Sequence, residues 1–249
     1  MQHTSRSEIL KDMRGLQRLS LEAVSTISVD IFDTLLIRKI RPESRQFWIV
    51  AGRWMEDFYD IYGVKIEQYY LFSLREDVRR MLRTKKALEK TYSTEAKFDG
   101  QIIGVEEWFG EIISYAEHLR LIKVDESSRI KLLNKMIDSE IEIEKKFLRI
   151  NRKLVSWILE EKKLNERLRV YYLSDMYLRA KDIENLLQHF GIAEVFAGGT
   201  TSSDQKMGKW SGKLYKHYMN GILSRTTNLH IGDNLHSDII MARKAGSAA

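Results

Sequence analysis

The sequence predicts an α/β fold in which a Rossmann-like parallel sheet is interrupted by a long helical insertion. Short apolar runs over 26–29, 168–173, 194–197 and 227–231 are typical of buried strands. Helical spacing of apolar residues separates the last three runs, and this strand–helix alternation indicates a parallel sheet covered on both faces. Between the first two runs, residues 42–165 are helical in pattern and poor in glycine.

In chain order, apolar spacing over 7–22 predicts a first helix ahead of the first strand. The helices predicted inside the insertion cover 43–62, 66–87, 105–120, 126–145 and 148–165. Those predicted after it cover 179–190, 210–222 and 236–245. We therefore expect an α/β core made of residues 1–41 and 166–249, with an all-helical cap formed by residues 42–165.

Composition limits the class of protein. The 249 residues suffice for one buried core with a smaller insert, and 43% hydrophobic with 31% charged residues is ordinary for a soluble globular chain. No run approaches the roughly 18 uninterrupted apolar residues of a membrane helix, and the N-terminus has no signal-peptide core. The absence of cysteine excludes disulfides and cysteine nucleophiles. We expect a cytoplasmic protein without a membrane span.

Charge is mixed along most of the chain, with a net value of +6. This modest excess does not indicate a nucleic-acid partner. One stretch, 75–90, is more basic, and we interpret it as a solvated helix face, with attraction of an anionic substrate as the alternative. The acidic residues Glu140, Glu142 and Glu144 are likewise interpreted as a solvated face.

The residues that end the strands are the candidates for chemistry, because ligands of open parallel sheets bind beyond the carboxyl ends of the strands. Asp30 ends the first strand, where a carboxylate suits a nucleophile or a metal ligand. Ser174 ends the second, where a hydroxyl can donate a hydrogen bond to a phosphate-like oxygen. For both, a turn or helix-cap role is the alternative.

A lysine-rich loop and two carboxylates extend this set. The loop 202–215 offers lysines that would offset the charge of a bound anion and of a carboxylate nucleophile, although surface lysines are common. Asp233 and Asp238 follow the last strand beside Gly232. They suit a hard divalent cation bound through oxygen, or they cap the following helix.

An Asp, a Ser, a Lys and an Asp pair that follow strands in this order resemble the four motifs of the haloacid-dehalogenase (HAD) superfamily. The stretches that carry the resemblance are ISVDIFDTLL, VYYLSD, KWSGKLY and HIGDNLHSDIIMARKAG. The setting of the third motif selects Lys209 over Lys206 and Lys213. The helical insertion falls where the family carries its cap domain, between the first and second motifs.

The resemblance implies a hydrolase, most simply a phosphatase, in which Asp30 forms a covalent aspartyl intermediate. It implies Mg²⁺ as the cofactor, with four candidate ligands: Asp30, the carbonyl of Phe32, Asp233 and Asp238. For Asp238, binding a metal water or orienting Lys209 are the two implied roles. The groups implied to contact the substrate phosphate are Thr34, Ser174, Asp175 and Lys209.

One position departs from the phosphatase pattern. Phe32 stands where phosphatases of the family have a second Asp that protonates the leaving group. Asp33 could replace this acid as a catalytic residue, or it could stand in for the glycine often found there, because Asp tolerates positive φ. A dehalogenase- or phosphonatase-style hydrolase and a non-catalytic module therefore remain alternatives.

A narrower resemblance rests on DIFDTLLIR and SDMYL. Both are similar to a bacterial branch whose members occur beside, or fused to, glycosyltransferases of surface-polysaccharide synthesis. This implies a phosphorylated small molecule or glycan intermediate as substrate and a linked glycosyltransferase as a partner. The chain ends soon after the helix of the fourth motif, which predicts either a shortened sheet or an excerpt of a longer protein.

Overall fold

A computed structural model describes residues 24–89, 99, 102–221 and 227–249. The helix predicted over 7–22 lies outside these residues. Within them, no helix is both long enough and apolar enough to cross a bilayer.

In chain order the strands are β1 (Thr26–Val29), β2 (Leu36–Arg38), β3 (Leu148–Ile150), β4 (Arg169–Ser174), β5 (Gly198–Thr201) and β6 (Asn228–Ile231). The α-helices are α1 (Glu43–Tyr62), α2 (Gln68–Glu89), α3 (Val105–His118), α4 (Glu126–Phe147), α5 (Arg152–Leu164), α6 (Ala180–His189), α7 (Ser202–Gln205), α8 (Lys213–Gly221) and α9 (Met241–Lys244). A 3₁₀ turn covers Ala193–Val195, and a π-helical turn covers Leu235–Ile240.

Four parallel strands form the central sheet in the order β5-β4-β1-β6. Thr26 of β1 lies opposite Arg169 on one side and Asn228 on the other. Strand β1 is buried along its length, as a parallel strand covered on both faces must be. Because the strands run the same way, their carboxyl ends share one edge. The predicted α/β class with a helical insertion is confirmed.

The sheet continues beyond β6 through a single bridge. The N–H of Ala248 donates to the carbonyl of Asn228 at 2.8 Å, and the N–H of His230 donates to the carbonyl of Ala248 at 2.7 Å. The residues that follow α9 therefore return to the sheet edge.

The helical insertion has its own packed interior. Helix α1 packs against α2 and α4, and α3 packs against α2 and α4. The buried apolar residues of α1 recur at helical spacing: Phe47, Val50, Ala51, Trp54 and Phe58. Burial of a Val or Phe side chain contributes about 1.5–3 kcal/mol. Asp125 caps α4 by accepting the N–H of Ser128 at 3.0 Å, which explains where that helix begins.

One helix prediction and one strand prediction need correction. Residues 148–150 are not helical: they form β3, which pairs antiparallel with β2 at the junction of insertion and core. The strand predicted at 194–197 lies instead at Gly198–Thr201, after the 3₁₀ turn. The sequence GGTT has no apolar signal, and the ring of Tyr172 occupies the space that a Cβ on Gly199 would need. The strand therefore has glycine at this position because Tyr172 of the neighbouring strand packs against it, and an apolar pattern is missing.

The interpretation of the acidic residues of α4 was wrong for two of three. Glu140 and Glu144 are buried, and only Glu142 is exposed. Residues 140 and 144 lie one turn apart on the same side of the helix, which faces the interior of the insertion rather than solvent. Glu140 is paired there with the buried guanidinium of Arg75.

The division at residues 41/42 and 165/166 stays a prediction. The contacts of α5 favour an earlier start for the second core segment, near β3, so that α5 belongs to the core. Near the end of α5, the Lys162 ammonium donates to the carbonyl of Val195 at 3.0 Å. The Asn165 amide donates to the carbonyl of Val24 at 3.3 Å. These contacts join α5 to the elements around the sheet.

Candidate active site

The carboxyl edge of the sheet opens into a cavity of about 600 Å³. The strands and the loops after them bring eight predicted residues to its wall: Asp30, Phe32, Asp33, Ser174, Asp175, Lys209, Asp233 and Asp238. Asp30 directly follows β1, and Ser174 is the last residue of β4. Residues that are far apart along the chain therefore share one site, because all of them follow parallel strands.

Lys209 is the buried centre of this site. Its ammonium donates to Oδ1 of Asp30 at 2.5 Å and to Oδ1 of Asp238 at 2.6 Å. Burial disfavours the charged form, but the two carboxylates outweigh it, so the pKa of Lys209 rises above its ordinary value. The lysine is therefore a fixed positive charge that holds the Asp30 carboxylate in place.

Asp175, for which the resemblance implies a contact with the substrate phosphate, lines the cavity and holds a neighbouring loop. Its Oδ1 accepts the backbone N–H of Lys209 at 2.8 Å, and its Oδ2 accepts that of Trp210 at 3.2 Å. Both oxygens thus hold the loop that carries the lysine. An ionised carboxylate is also an acceptor only and offers no hydrogen bond to a phosphate oxygen. The contacts favour a positioning role for Asp175.

Asp238 is occupied on both oxygens. Besides the lysine, its Oδ1 lies 3.2 Å from Nε2 of His230, and its Oδ2 accepts the N–H of Asn234 at 2.9 Å. Burial raises its pKa, but His230 and Lys209 reverse this and leave the pKa below its usual value. A Cβ on Gly232 would overlap this carboxylate, which explains the glycine. Of the two roles implied for Asp238, orientation of the lysine fits these contacts.

His230 contacts Asp238 and was not among the predicted site residues. Its Nδ1 lies 2.8 Å from the hydroxyl of Ser28, and its Nε2 lies 2.9 Å from the hydroxyl of Tyr215. Burial lowers its pKa to about 4, so the ring is neutral at pH 7. A histidine within an otherwise apolar strand was the available signal.

The carboxylates suit a hard cation. Oxygens of Asp30, Asp233 and Asp238 all lie within 4.8 Å of one another. Burial, opposed by Lys209, raises the pKa of Asp30 to about 6. Three carboxylates and one ammonium leave two uncompensated negative charges, and oxygen donors are the ligands that Mg²⁺ prefers. Thr34 bridges two of them with long hydrogen bonds, 3.4 Å to Asp30 and 3.3 Å to Asp233.

Comparison with known proteins places this arrangement in a fold. No protein-family model and no curated protein matches the chain. A 2-haloacid dehalogenase from Pseudomonas syringae pv. Tomato DC3000 has a similar structure, with a TM-score of 0.58 and 14% identity over 90% of this chain and 84% of that chain. The chain has the HAD fold. At this identity, the similarity concerns the fold alone.

Two other HAD structures are more distant. The HAD-hydrolase YfnB from Bacillus subtilis, determined with bound magnesium, gives a TM-score of 0.49 and 17% identity over 90% of this chain and 86% of that chain. The L-2-haloacid dehalogenase from Xanthobacter autotrophicus with covalently bound chloropropionic acid gives a TM-score of 0.48 and 13% identity over 90% of this chain and 75% of that chain.

The loop after β1 of this HAD fold accounts for Asp33. Its backbone has φ 60°, the left-handed conformation that Asp adopts more readily than most residues. Its carboxylate accepts hydrogen bonds from Arg38 at 2.8 Å and from Arg41 at 2.7 Å. Both oxygens are thus occupied, which favours the conformational role over proton transfer. The ring of Phe32 lies under the Arg38 guanidinium, 4.8 Å from its carbon to the ring centroid.

Residues of the insertion close the cavity on another side, and none of them was named as a candidate site residue; for the stretch 75–90, attraction of an anionic substrate was the alternative interpretation. Helix α2 contributes Arg79 and Arg83, and α3 contributes Trp108. The basic stretch 75–90 is therefore not wholly a solvated face. The i, i+4 spacing of the two arginines was visible in the sequence, but nothing there indicated which side of the helix faces the site.

Proposed function

We propose that the chain is a Mg²⁺-dependent hydrolase that transfers a phosphoryl group from a small-molecule or glycan phosphate ester to Asp30 and then to water. The observation that carries the proposal is the buried contact of Asp30 with Lys209, 2.5 Å, beside the acidic group that includes Asp233. A carboxylate that is fixed by an ammonium and lies next to a cation site is suited to attack an anionic centre.

The residues present fit a magnesium ion. Asp30 and Asp233 would hold it, with the Phe32 carbonyl as a further ligand from the same loop, and with Asp238 supporting Lys209 instead. When bound, the ion supplies positive charge that screens the repulsion between the carboxylate nucleophile and an anionic substrate. The raised pKa of Asp30 is consistent with a site whose negative charge is incompletely balanced by Lys209 alone.

The protein's own groups then account for the steps. A carboxylate oxygen of Asp30 attacks phosphorus, and the bond to the ester oxygen breaks as the aspartyl phosphate forms. The Ser174 hydroxyl and the Lys209 ammonium hold phosphoryl oxygens and stabilise the charge of the transition state. Water subsequently hydrolyses the acyl phosphate and regenerates Asp30. With Phe32 beside the nucleophile, the leaving oxygen takes its proton from water.

Phe32 favours a second candidate, the displacement of a group that leaves without a proton. In that reaction, Asp30 attacks carbon, an ester forms, and a halide departs, as in a dehalogenase. A phosphonatase-style cleavage is the related possibility. The two candidates differ in their response to Phe32→Asp, which restores an acid to the loop. Phosphatase activity would rise in the variant if the missing acid limits it, whereas halide release would not.

The test is a screen for turnover with Mg²⁺. Phosphate release is measured from phosphorylated sugars, nucleotides and glycan-linked phosphates, and halide release from 2-haloacids. We expect phosphate release that Asp30→Asn abolishes and that chelation with EDTA suppresses. Asp60→Asn is the matched control, because this exposed carboxylate pairs with Lys135 at 2.7 Å, away from the cavity. Equal phosphate release by Asp30→Asn and the parent would refute the proposal.

The branch assignment, the linked glycosyltransferase and the cytoplasmic location stay predictions. A non-catalytic module would bind Mg²⁺ and phosphorylated ligands in the same screen but release neither phosphate nor halide.

A further inference from the structure

Four basic side chains reach the wall of the cavity in the described part of the chain: Arg38, Arg79, Arg83 and Lys209. Two of them are neutralised by the protein itself. Arg38 pairs with Asp33 at 2.8 Å and with Glu43 at 3.1 Å, and Lys209 lies between two carboxylates. The other two, Arg79 and Arg83, belong to the insertion and are less completely neutralised by the protein.

Arg79 and Arg83 lie one turn apart on α2, so their side chains project from the same face of the helix. Arg79 approaches Glu76 only at 3.9 Å. Among the residues that the structure describes, Arg83 forms neither an ion pair nor a hydrogen bond. Partial burial lowers the pKa of Arg83, and the charge of Arg79 lowers it further. Glu76 opposes this shift, so two positive charges at the cavity share one negative charge.

The position of Arg79 is fixed by packing. Its guanidinium carbon lies 5.2 Å from the ring centroid of Trp108. The indole N–H of Trp108 donates to the carbonyl of Arg75 at 3.0 Å, which ties the ring to α2. Asp99, which also lines the cavity, pairs with Lys213 at 2.8 Å. A guanidinium that is oriented in advance loses little freedom when an anion binds.

We infer that Arg79 and Arg83 form a second anion subsite, and that the substrate carries a carboxylate or phosphate in addition to the group that reacts at Asp30. Guanidinium groups bind both kinds of oxyanion through paired hydrogen bonds. A cavity of about 600 Å³ holds a small molecule with two anionic ends. The identity of the reacting group rests on the proposed function, whereas the second subsite rests on the incompletely compensated charge of Arg79 and Arg83.

The test measures binding in the Asp30→Asn variant, so that it does not depend on turnover. The probes are propylphosphonate, propane-1,3-diphosphonate and 3-phosphonopropionate, titrated with Mg²⁺ present in an isothermal calorimeter. We expect at least one of the two doubly anionic probes to bind about tenfold or more tightly than propylphosphonate. The probe with the larger gain identifies the second group as phosphate-like or carboxylate.

The variants are Arg83→Gln and Arg79→Gln, each in the Asp30→Asn background. Arg83→Gln should remove most of the gain, because it removes one of the two guanidinium groups of the subsite. Its fold should be retained, because Arg83 forms no ion pair or hydrogen bond in the described structure. Arg80→Gln is the matched control: it removes the same charge from an exposed position on α2, where Arg80 pairs with Asp77. A thermal melt checks that each variant is folded.

The inference is overturned if doubly anionic probes gain nothing over propylphosphonate. It is also overturned if Arg80→Gln lowers the gain as much as Arg83→Gln, because the effect would then be a general one of net charge. An arginine-dependent gain without any turnover in the parent would contradict the proposed hydrolase and leave the second subsite standing.

Discussion

Replacing Glu140 with glutamine tests the electrostatic centre of the helical insertion. Glu140 and Arg75 are both fully buried. The carboxylate accepts hydrogen bonds from the guanidinium at 2.6 Å and 3.0 Å and from the hydroxyl of Tyr177 at 2.5 Å. The same guanidinium lies 4.3 Å from the ring centroid of Phe47 and 4.5 Å from that of Trp108. Aromatic rings and one carboxylate are therefore its main surroundings.

The expected cost follows from the charge that Glu140→Gln leaves behind. Glutamine keeps the volume and one acceptor oxygen, but the buried guanidinium of Arg75 loses its counter-ion. Removing one partner of a buried pair costs about 3–5 kcal/mol. A domain with an unfolding free energy of about 5–15 kcal/mol would lose a large part of its stability.

Urea unfolding followed by tryptophan fluorescence measures this loss, because Trp54 and Trp108 both lie near the pair. The control is Glu142→Gln on the same helix. Its side chain is 66% exposed and pairs with Lys145, so we expect a change below about 0.5 kcal/mol. A loss below about 1 kcal/mol for Glu140→Gln would refute the reasoning, because a buried pair of this kind costs more than that to break.

Three further changes test the neighbouring contacts. Burial, opposed by Arg38, raises the pKa of Glu144 to about 7. Folding therefore favours the protonated form, and this group should remove up to about 3 kcal/mol of unfolding free energy as pH rises from 5 to 8. Asp30 and His230 also change protonation on unfolding in this range, in the parent and the variant alike. The expected loss is therefore the difference between the urea unfolding free energies of the parent and of Glu144→Gln. Asp175→Asn weakens two hydrogen bonds that hold the Lys209 loop and should lower kcat for phosphate release about tenfold, with the fold retained by circular dichroism; an unchanged kcat would contradict its positioning role. Asp99 accepts the N–H of Gly208 at 2.9 Å from the insertion side. Asp99→Asn should lower kcat/KM about tenfold, and unchanged kinetics would show that this contact does not position the lysine.

Local pattern predicted the elements that are long or strongly apolar. The strand at 26–29 and the helix at 43–62 have the predicted bounds, because apolar period and a single proline define them without reference to distant residues. Short elements could not be predicted from the local pattern. β3 has three residues and exists because it pairs with β2, which is more than a hundred residues earlier in the chain.

The same distinction applies to the site. Asp30, Ser174 and Asp233 could be named from the sequence because each follows a strand, and parallel strands deliver such residues to one edge. The partners of each carboxylate could not be named. Whether Asp175 contacts a phosphate or holds the lysine loop depends on where two separate loops meet.

Residue types and their order along the chain were enough to predict the α/β class, the helical insertion and the residues that end the strands, since these follow from periodicity within short segments. Only the packed structure decided that Glu140 and Glu144 are buried, that Asp238 supports Lys209, and that Arg79 and Arg83 face the cavity. The physical reason is that the side of a helix that is desolvated, and the partner that each buried charge receives, are set by contacts between segments far apart in the chain.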